Sequence, residues 1–383
     1  VGGGRLMEFD LTVEQRLLRD MARDFAKREI EPVASQHDRE EKFPRRIFER
    51  AREQGLINLT LPEEYGGGGL GAVDVVAVTE RLARACVGIT AAVSLNGLVA
   101  EALVLAGTEE QKRRYLPRIA AGELAGYAVT EPAAGSDVAG LQTTARRQGR
   151  GFVLNGTKTW ISNATEASLF LVFAKTDPEA GHKGLSAFVV ERDAPGLEVG
   201  PKLGKMGQKA APAAEVFLAD VHVPAEAMLG QEGQGFRLAM QVFDRSRPMV
   251  AAMAVGLIQR CLDESLAYSQ TRASMGLPII LHQAVGHKIA EMSIRLEAAR
   301  LLTYQAAWLL DAGKRNTLQA SAAKAFAADS AMWAATEAVQ VFGGMGYSTE
   351  YPVEKLLRDA KLLQIYEGTS EIQRSIIVKE LVR

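Results

Sequence analysis

Among the side chains of this 383-residue sequence, Glu367 is the one most suited to proton chemistry. It lies in Tyr366-Glu367-Gly368-Thr369-Ser370, after the apolar pair Leu362-Leu363 and Ile365. A carboxylate in an apolar pocket has a raised pKa and can act as a base near neutral pH. Ser370 and Gln373 have the spacing of a capping box, so a helix is expected to begin there. Its free amides would receive an anion such as a pyrophosphate. A solvated loop glutamate is the commoner outcome for such a residue, and residue types alone leave that open.

Three further segments carry chemical potential. Thr130-Glu131-Pro132-Ala133-Ala134-Gly135-Ser136-Asp137 is a small-residue loop after a strand-like run. Such a loop lets backbone amides approach a ligand closely, although a simple turn would look the same. Trp160-Ile161-Ser162 pairs a flat aromatic with a hydroxyl, which suits a ring system with polar edges or else a core tryptophan. Gly343-Gly344-Met345-Gly346 looks like a nucleotide loop but follows a helical run, so it fails the test for a dinucleotide fingerprint. A glycine stop after Phe342 is the alternative. His37, His182, His222, His282 and His287 show no zinc spacing, and no metal is expected. Cys86 and Cys261 form no Cys-x-x-Cys pair, which predicts no disulfide framework and a reducing compartment.

The elements that must position these residues fall into three textures. Up to about Gly122 the chain reads helical. Thr12 with Gln15 and Thr108 with Gln111 make capping boxes. Val13, Leu17, Met21 and Phe25 share one helix face, and Pro62 to Gly69 is a glycine-rich loop. From Leu124 to about Pro224 short β-rich runs follow, at 125–130, 151–155, 169–174 and 186–191. Asn155-Gly156 signals a hairpin, and no helices alternate with the runs, so the sheet is expected to be antiparallel. After Gly235 the helical period returns in the stripes Val250-Ala254-Ile258-Leu262-Leu266 and Ile289-Met292-Leu296-Ala299. Runs at 320–342, 353–363 and from Ser370 onward complete it. The expected architecture is α+β: an N-terminal helical domain over 1–123, a middle antiparallel β domain over 124–229 and a C-terminal four-helix-bundle domain over 230–383.

Net charge is -1, which offers nothing to nucleic acid or anionic lipid. No apolar run reads as long enough to span a bilayer. Val1 to Met7 lacks the apolar stretch of a secretory signal and reads as a disordered leader. A cytoplasmic location is the expectation from these features.

Taken in order, the segments resemble the acyl-CoA dehydrogenase family from about Phe9 to Arg383. The pieces include Leu61-Pro62-Glu63-Glu64-Tyr65-Gly66-Gly67, Gly107-Thr108-Glu109-Glu110-Gln111-Lys112 and Val129 to Asp137. Asn155 to Ser162, Phe243 to Pro248, Gln340 to Tyr347 and Arg358 to Arg374 follow. The resemblance implies a homotetramer with one FAD per subunit, an acyl-CoA substrate and electron-transfer flavoprotein as acceptor. It implies that Glu367 takes the α proton of a short- or medium-chain thioester while hydride leaves Cβ for flavin N5, as in fatty acid β-oxidation. Tyr127, Val129, Thr130, Gly135 and Ser136 match the loop bordering the flavin, with Ser136 also near CoA. Trp160, Ile161 and Ser162 match the flavin-facing segment, and Arg272 matches the pyrophosphate arginine. Gln283, Gln340, Gly343 and Gly344 match the adenine end, partly from a neighbouring subunit. Thr369 and Glu371 match a further cofactor contact. Asp244, Arg247, Tyr366 and Gly368 match substrate-side positions. Some branches carry the base where Ser246 stands, and serine cannot do that job.

The sequence departs from the family at several places. Met275 stands where phenylalanine is usual, and Lys209, Ala211 and Ala213 replace Arg, Ser and Thr. Ala133 replaces a glycine, a change that matters only if the position needs positive φ. Rival readings are an acyl-CoA oxidase, a non-enzymatic scaffold on this fold, or an enzyme for another carbon acid such as a nitroalkane. A decarboxylating glutaryl-type enzyme would want a cation in the acyl pocket, yet 91–102 carries only Glu101 as a charge.

Overall fold

The computed structural model describes residues 10–383; the expectation for Val1 to Met7 lies outside them. Helices come first: α1 (Val13–Phe25), α2 (Ala34–Glu40), α3 (Arg45–Glu53), α4 (Ala72–Ala85), α5 (Val87–Ser94), α6 (Gly97–Ala106) and α7 (Glu109–Ala120). Both capping boxes form, with Gln15 N donating to Thr12 Oγ1 at 3.2 Å and Gln111 N to Thr108 Oγ1 at 3.2 Å. The α1 stripe is split: Phe25 is buried, whereas Val13, Leu17 and Met21 face outward. Val87–Ala106 is long and apolar enough to cross a bilayer, contrary to the sequence expectation. It is broken between α5 and α6, and most of it is buried in the core.

Strands β1 (Ala125–Ala128), β2 (Thr144–Gln148), β3 (Gly151–Ser162), β4 (Leu169–Lys175), β5 (Leu185–Glu191), β6 (Leu197–Lys202), β7 (Ala213–Pro224) and β8 (Met228–Leu229) form one eight-stranded sheet. Its order is β6-β7-β3-β2-β4-β5-β8, with β1 beside β4. The antiparallel expectation needs correction at two ladders, because β1 and the start of β2 both run parallel to β4. The intervening loop and strands give the chain the length a parallel crossover needs.

Asn155-Gly156 is not a hairpin turn. β3 runs through it, with a bulge opposite β7 between Leu154 and Gly156. A Cβ on Gly156 would lie 2.4 Å from Thr143 Oγ1, so close approach explains the glycine. The hairpin falls at Gly149-Arg150, between the paired residues Gln148 and Gly151. Positive φ serves bulges as well as turns, so the dipeptide alone did not distinguish them.

The chain then returns to helices. α8 (Gly235–Thr271) is followed by the hairpin β9 (Ala273–Ser274) and β10 (Leu277–Pro278). α9 (Gln283–Asp311), α10 (Thr317–Phe342), α11 (Val353–Leu363) and α12 (Ser370–Leu381) complete the fold. Strand alternation sends Phe170 and Val172 into a core within the β domain. Leu171 and Phe173 point the other way, into a continuous core shared with both sets of helices. α10 buries alanines along its length, from Ala320 to Ala338, and small side chains let its neighbours approach closely. The α11–α12 turn and the strand residues Tyr127, Trp160 and Ser162 line one shared cavity.

Candidate active site

Glu367 sits in the turn between α11 and α12. It adopts φ 57° and Gly368 adopts φ 88°, two successive left-handed residues that reverse the chain. The cap of α12 is Thr369 rather than Ser370: Ile372 N donates to Thr369 Oγ1 at 3.2 Å. Ser370 is already helical, and its hydroxyl donates to Asp329 Oδ1 at 2.8 Å. Gln373 Nε2 reaches back to the carbonyls of Glu367 and Gly368, at 3.1 and 3.0 Å. The amides of Glu367 and Gly368 have no backbone partner among the described residues.

Glu367 Oε2 accepts a hydrogen bond from Ser246 Oγ at 2.6 Å. Burial raises the Glu367 carboxyl above its usual range, while Ser246, Arg247 and Lys324 oppose that rise in part. Serine cannot serve as the base at position 246, yet its hydroxyl touches the candidate base directly. The contact arises from the meeting of α8 with a turn distant in sequence, for which no local signal exists.

Glu367 opens into a cavity of about 750 Å³. Of the expected residues, Tyr127, Val129, Thr130, Gly135, Ser136, Trp160, Ser162, Arg247, Tyr366, Gly368 and Thr369 line it with Glu367. Trp160 is half exposed, in left-handed conformation at φ 58°, and turns its ring out of the sheet. The Tyr127 hydroxyl is buried and lacks a hydrogen-bond partner, as does Arg247 Nε. The 130–137 loop is anchored beneath the cavity by buried Glu131. Its Oε1 accepts from Lys158 Nζ at 2.7 Å and from Thr143 N at 2.9 Å. Burial pushes this carboxyl up, but the Lys158 charge and these hydrogen bonds outweigh it and hold it below its usual range. Ala133 is not left-handed, so alanine fits where the family has glycine.

Other expected residues lie elsewhere. Ile161 points into the β-domain core, because alternation turns it away from its neighbours Trp160 and Ser162. Asp244 does not line the cavity: Oδ1 accepts from Arg247 at 2.6 Å and Oδ2 from Thr317 at 2.7 Å. It braces Arg247 instead. Glu371 is exposed on the first turn of α12. Arg272, Gln283, Gln340, Gly343 and Gly344 are exposed and absent from the cavity wall. Tyr268 stacks on Phe342 with ring centroids 4.1 Å apart, which brings the ends of α8 and α10 together. Met275 is 92% exposed at φ 51°, on the turn of the β9–β10 hairpin beside them. Lys209 pairs with Glu41 at 3.0 Å, and Ala213 lines the cavity without a hydroxyl.

Leu95 and Leu98, from the α5–α6 region, close one side of the cavity. Behind Leu98 and Ser246 lies a second space of about 80 Å³, whose wall includes Glu101 and Arg245. These two form an ion pair at 2.8 Å, so a cation that the 91–102 segment does not show stands at the wall of this second space.

Three family models match in succession: acyl-CoA dehydrogenase N-terminal domain over residues 12–123, middle domain over 126–221 and C-terminal domain over 233–382. An acryloyl-CoA reductase (NADH) of Anaerotignum propionicum is 40% identical, covering 98% of this chain and 96% of that protein. The butyryl-CoA dehydrogenase structure from Megasphaera elsdenii superposes with TM-score 0.95 at 38% identity, covering 98% of this chain and all of that one. A chain solved in work on the electron transferring flavoprotein of Acidaminococcus fermentans gives TM-score 0.96 at 40% identity, covering 98% and 100%.

Proposed function

The chain belongs to the acyl-CoA dehydrogenase family, and from that premise we propose that it desaturates short straight-chain acyl-CoA thioesters with Glu367 as the base. It is an oxidoreductase, and its cofactor is FAD. The residues present fit a flavin: the Trp160 ring, the Ser162 hydroxyl and the unpartnered Tyr127 hydroxyl surround one large cavity, with Thr369 at the start of α12 on its wall. When bound, FAD supplies the acceptor for hydride from the substrate Cβ.

The observation that carries the reading is the half-buried Glu367 carboxylate, bonded to Ser246 at the wall of that cavity. Its raised pKa fits abstraction of a weakly acidic α proton. The partnerless amides of Glu367 and Gly368 would polarise the thioester carbonyl, as an oxyanion hole does. Arg247 and Ser136 stand on the wall where CoA would enter. Leu95 and Leu98 favour a short acyl chain, since a longer one would meet the Glu101–Arg245 pair.

Electron-transfer flavoprotein is the proposed acceptor, supported by the Acidaminococcus likeness. A homotetramer is proposed because Arg272, Gln283, Gln340, Gly343 and Gly344, which match cofactor positions, are exposed in the single chain and lie off the cavity wall. The Anaerotignum relative supports a second reading, the same chemistry run as enoyl-CoA reduction, with Glu367 returning the proton to Cα.

The test is anaerobic flavin bleaching by butyryl-, octanoyl- and isovaleryl-CoA in wild type and Glu367→Gln. Butyryl-CoA should bleach wild type fastest and leave Glu367→Gln oxidised. Bleaching by Glu367→Gln at the wild-type rate would remove Glu367 as base, and a protein unable to bind FAD would sink the reading as a whole.

A further inference from the structure

Lys324, on α10, is fully buried. Its ammonium donates to the Gly368 carbonyl at 2.6 Å, its one hydrogen bond among the described residues. An ammonium carries three donors, and a buried one ordinarily meets a carboxylate. The charged groups facing it are Glu367 from the α11–α12 turn, Arg247 from α8, Asp329 from its own helix and Glu371 from α12. Asp329 is already engaged by Arg374, Gln364 and Ser370. Glu371 lies in solvent. Glu367, half-buried and beyond direct ion-pair contact, is therefore the carboxylate left to balance Lys324.

The same relation holds from the other side. Glu367 faces Arg247, whose charge is already paired with Asp244, and Lys324, which has no carboxylate of its own. Gln373 shares the Gly368 carbonyl with Lys324, so both carbonyls of the turn are held by α10 and α12.

We propose that Lys324 is a positioning residue for the base: its ammonium fixes the left-handed turn that carries Glu367 and provides the buried countercharge for that carboxylate. The inference rests on Glu367 being the base. Burial brings the Lys324 ammonium down to about 8, so it is charged through most of the neutral range.

The test compares Lys324→Gln, which keeps a donor to the carbonyl and removes the charge, with Lys324→Met, which removes both. The readout is the pH profile of flavin reduction by butyryl-CoA in FAD-loaded protein. In Lys324→Gln the acid limb should move up by about one pH unit, a ~10-fold loss below it, with the rate restored at alkaline pH. Lys324→Met should also lose plateau rate. A Lys324→Gln profile that superimposes on wild type, or falls equally at every pH, would overturn the proposal.

A second measurement needs neither substrate nor a change at Lys324. The folded Lys324 value lies below its unfolded value of 10.5, so its burial penalty is full below about 8 and is relieved as pH rises between the two. Glu367→Gln removes the facing charge and lowers the folded value further. Its melting temperature should then begin to rise at a lower pH than that of wild type. An unchanged window overturns the proposal, whereas bleaching by Glu367→Gln would sink the base assignment instead.

Discussion

Removing the Ser246 hydroxyl deprives the Glu367 carboxylate of its one side-chain hydrogen bond among the described residues. Such a bond to a charged group contributes about 1.5–3 kcal/mol. Ser246→Ala should therefore raise an already raised pKa, moving the acid limb of flavin reduction up by about one unit or more. Rapid-mixing bleaching across pH reads this, and an unmoved limb would show that the hydroxyl does not act on the base. Leu98 belongs to the walls of both internal spaces. Leu98→Ala should join them and shift preference from butyryl- toward octanoyl-CoA, read as the ratio of kcat/KM values; an unchanged ratio places the acyl chain elsewhere. Much of this site was legible because its residues lie in short segments, such as Thr130 to Ser136 and Trp160 to Ser162, whose spacing survives in one dimension. Ser246, Lys324 and Arg245 were not, because each acquires its role from a helix face that meets a distant turn.

At the scale of elements, the 130–137 loop depends on the fully buried Lys158 of β3 and its pair with Glu131. Lys158→Met would leave a buried carboxylate unpaired, at a cost of about 3–5 kcal/mol. Calorimetry should show a clear loss of melting temperature, accompanied by weaker FAD retention because the loop borders the cavity. The pair also sets an acid sensitivity. Glu131 is held below its ordinary value, so its stabilisation is present above about 4.5 and is lost as pH falls through the lower folded value. Wild type should lose stability on that acid descent more steeply than Glu131→Gln; parallel curves would contradict the assignment. Local signals predicted elements well where the hydrogen bonds are local, as at Thr12 and Thr108. They failed at Asn155-Gly156, where the side chain of Asn155 bonds Asp220 across the β3–β7 bulge. They failed also at Ser370, where Thr369 has the extended backbone that a cap requires.

For the whole molecule, cofactor binding and assembly should be one equilibrium. Arg272, Gln283, Gln340, Gly343 and Gly344 are exposed and do not reach the cavity that holds Glu367. If they hold the far end of FAD, as their family positions imply, part of that grip comes from a second copy. The single chain also exposes Ile294, Leu301 and Trp308 on α9, spaced by seven and so on one helix face. An apolar stripe of that kind marks an interface. Leu301→Glu with Trp308→Glu should reduce the assembled mass measured by light scattering. Because a ligand held across an interface links the two equilibria, the variant should lose flavin in parallel, and wild type should lose it on dilution. Arg272→Ala should weaken FAD binding while leaving the unliganded melting temperature nearly unchanged, since its side chain lies at the surface. A dissociated variant that retained FAD with wild-type affinity would separate the two, and would mean that one chain supplies the entire cofactor site.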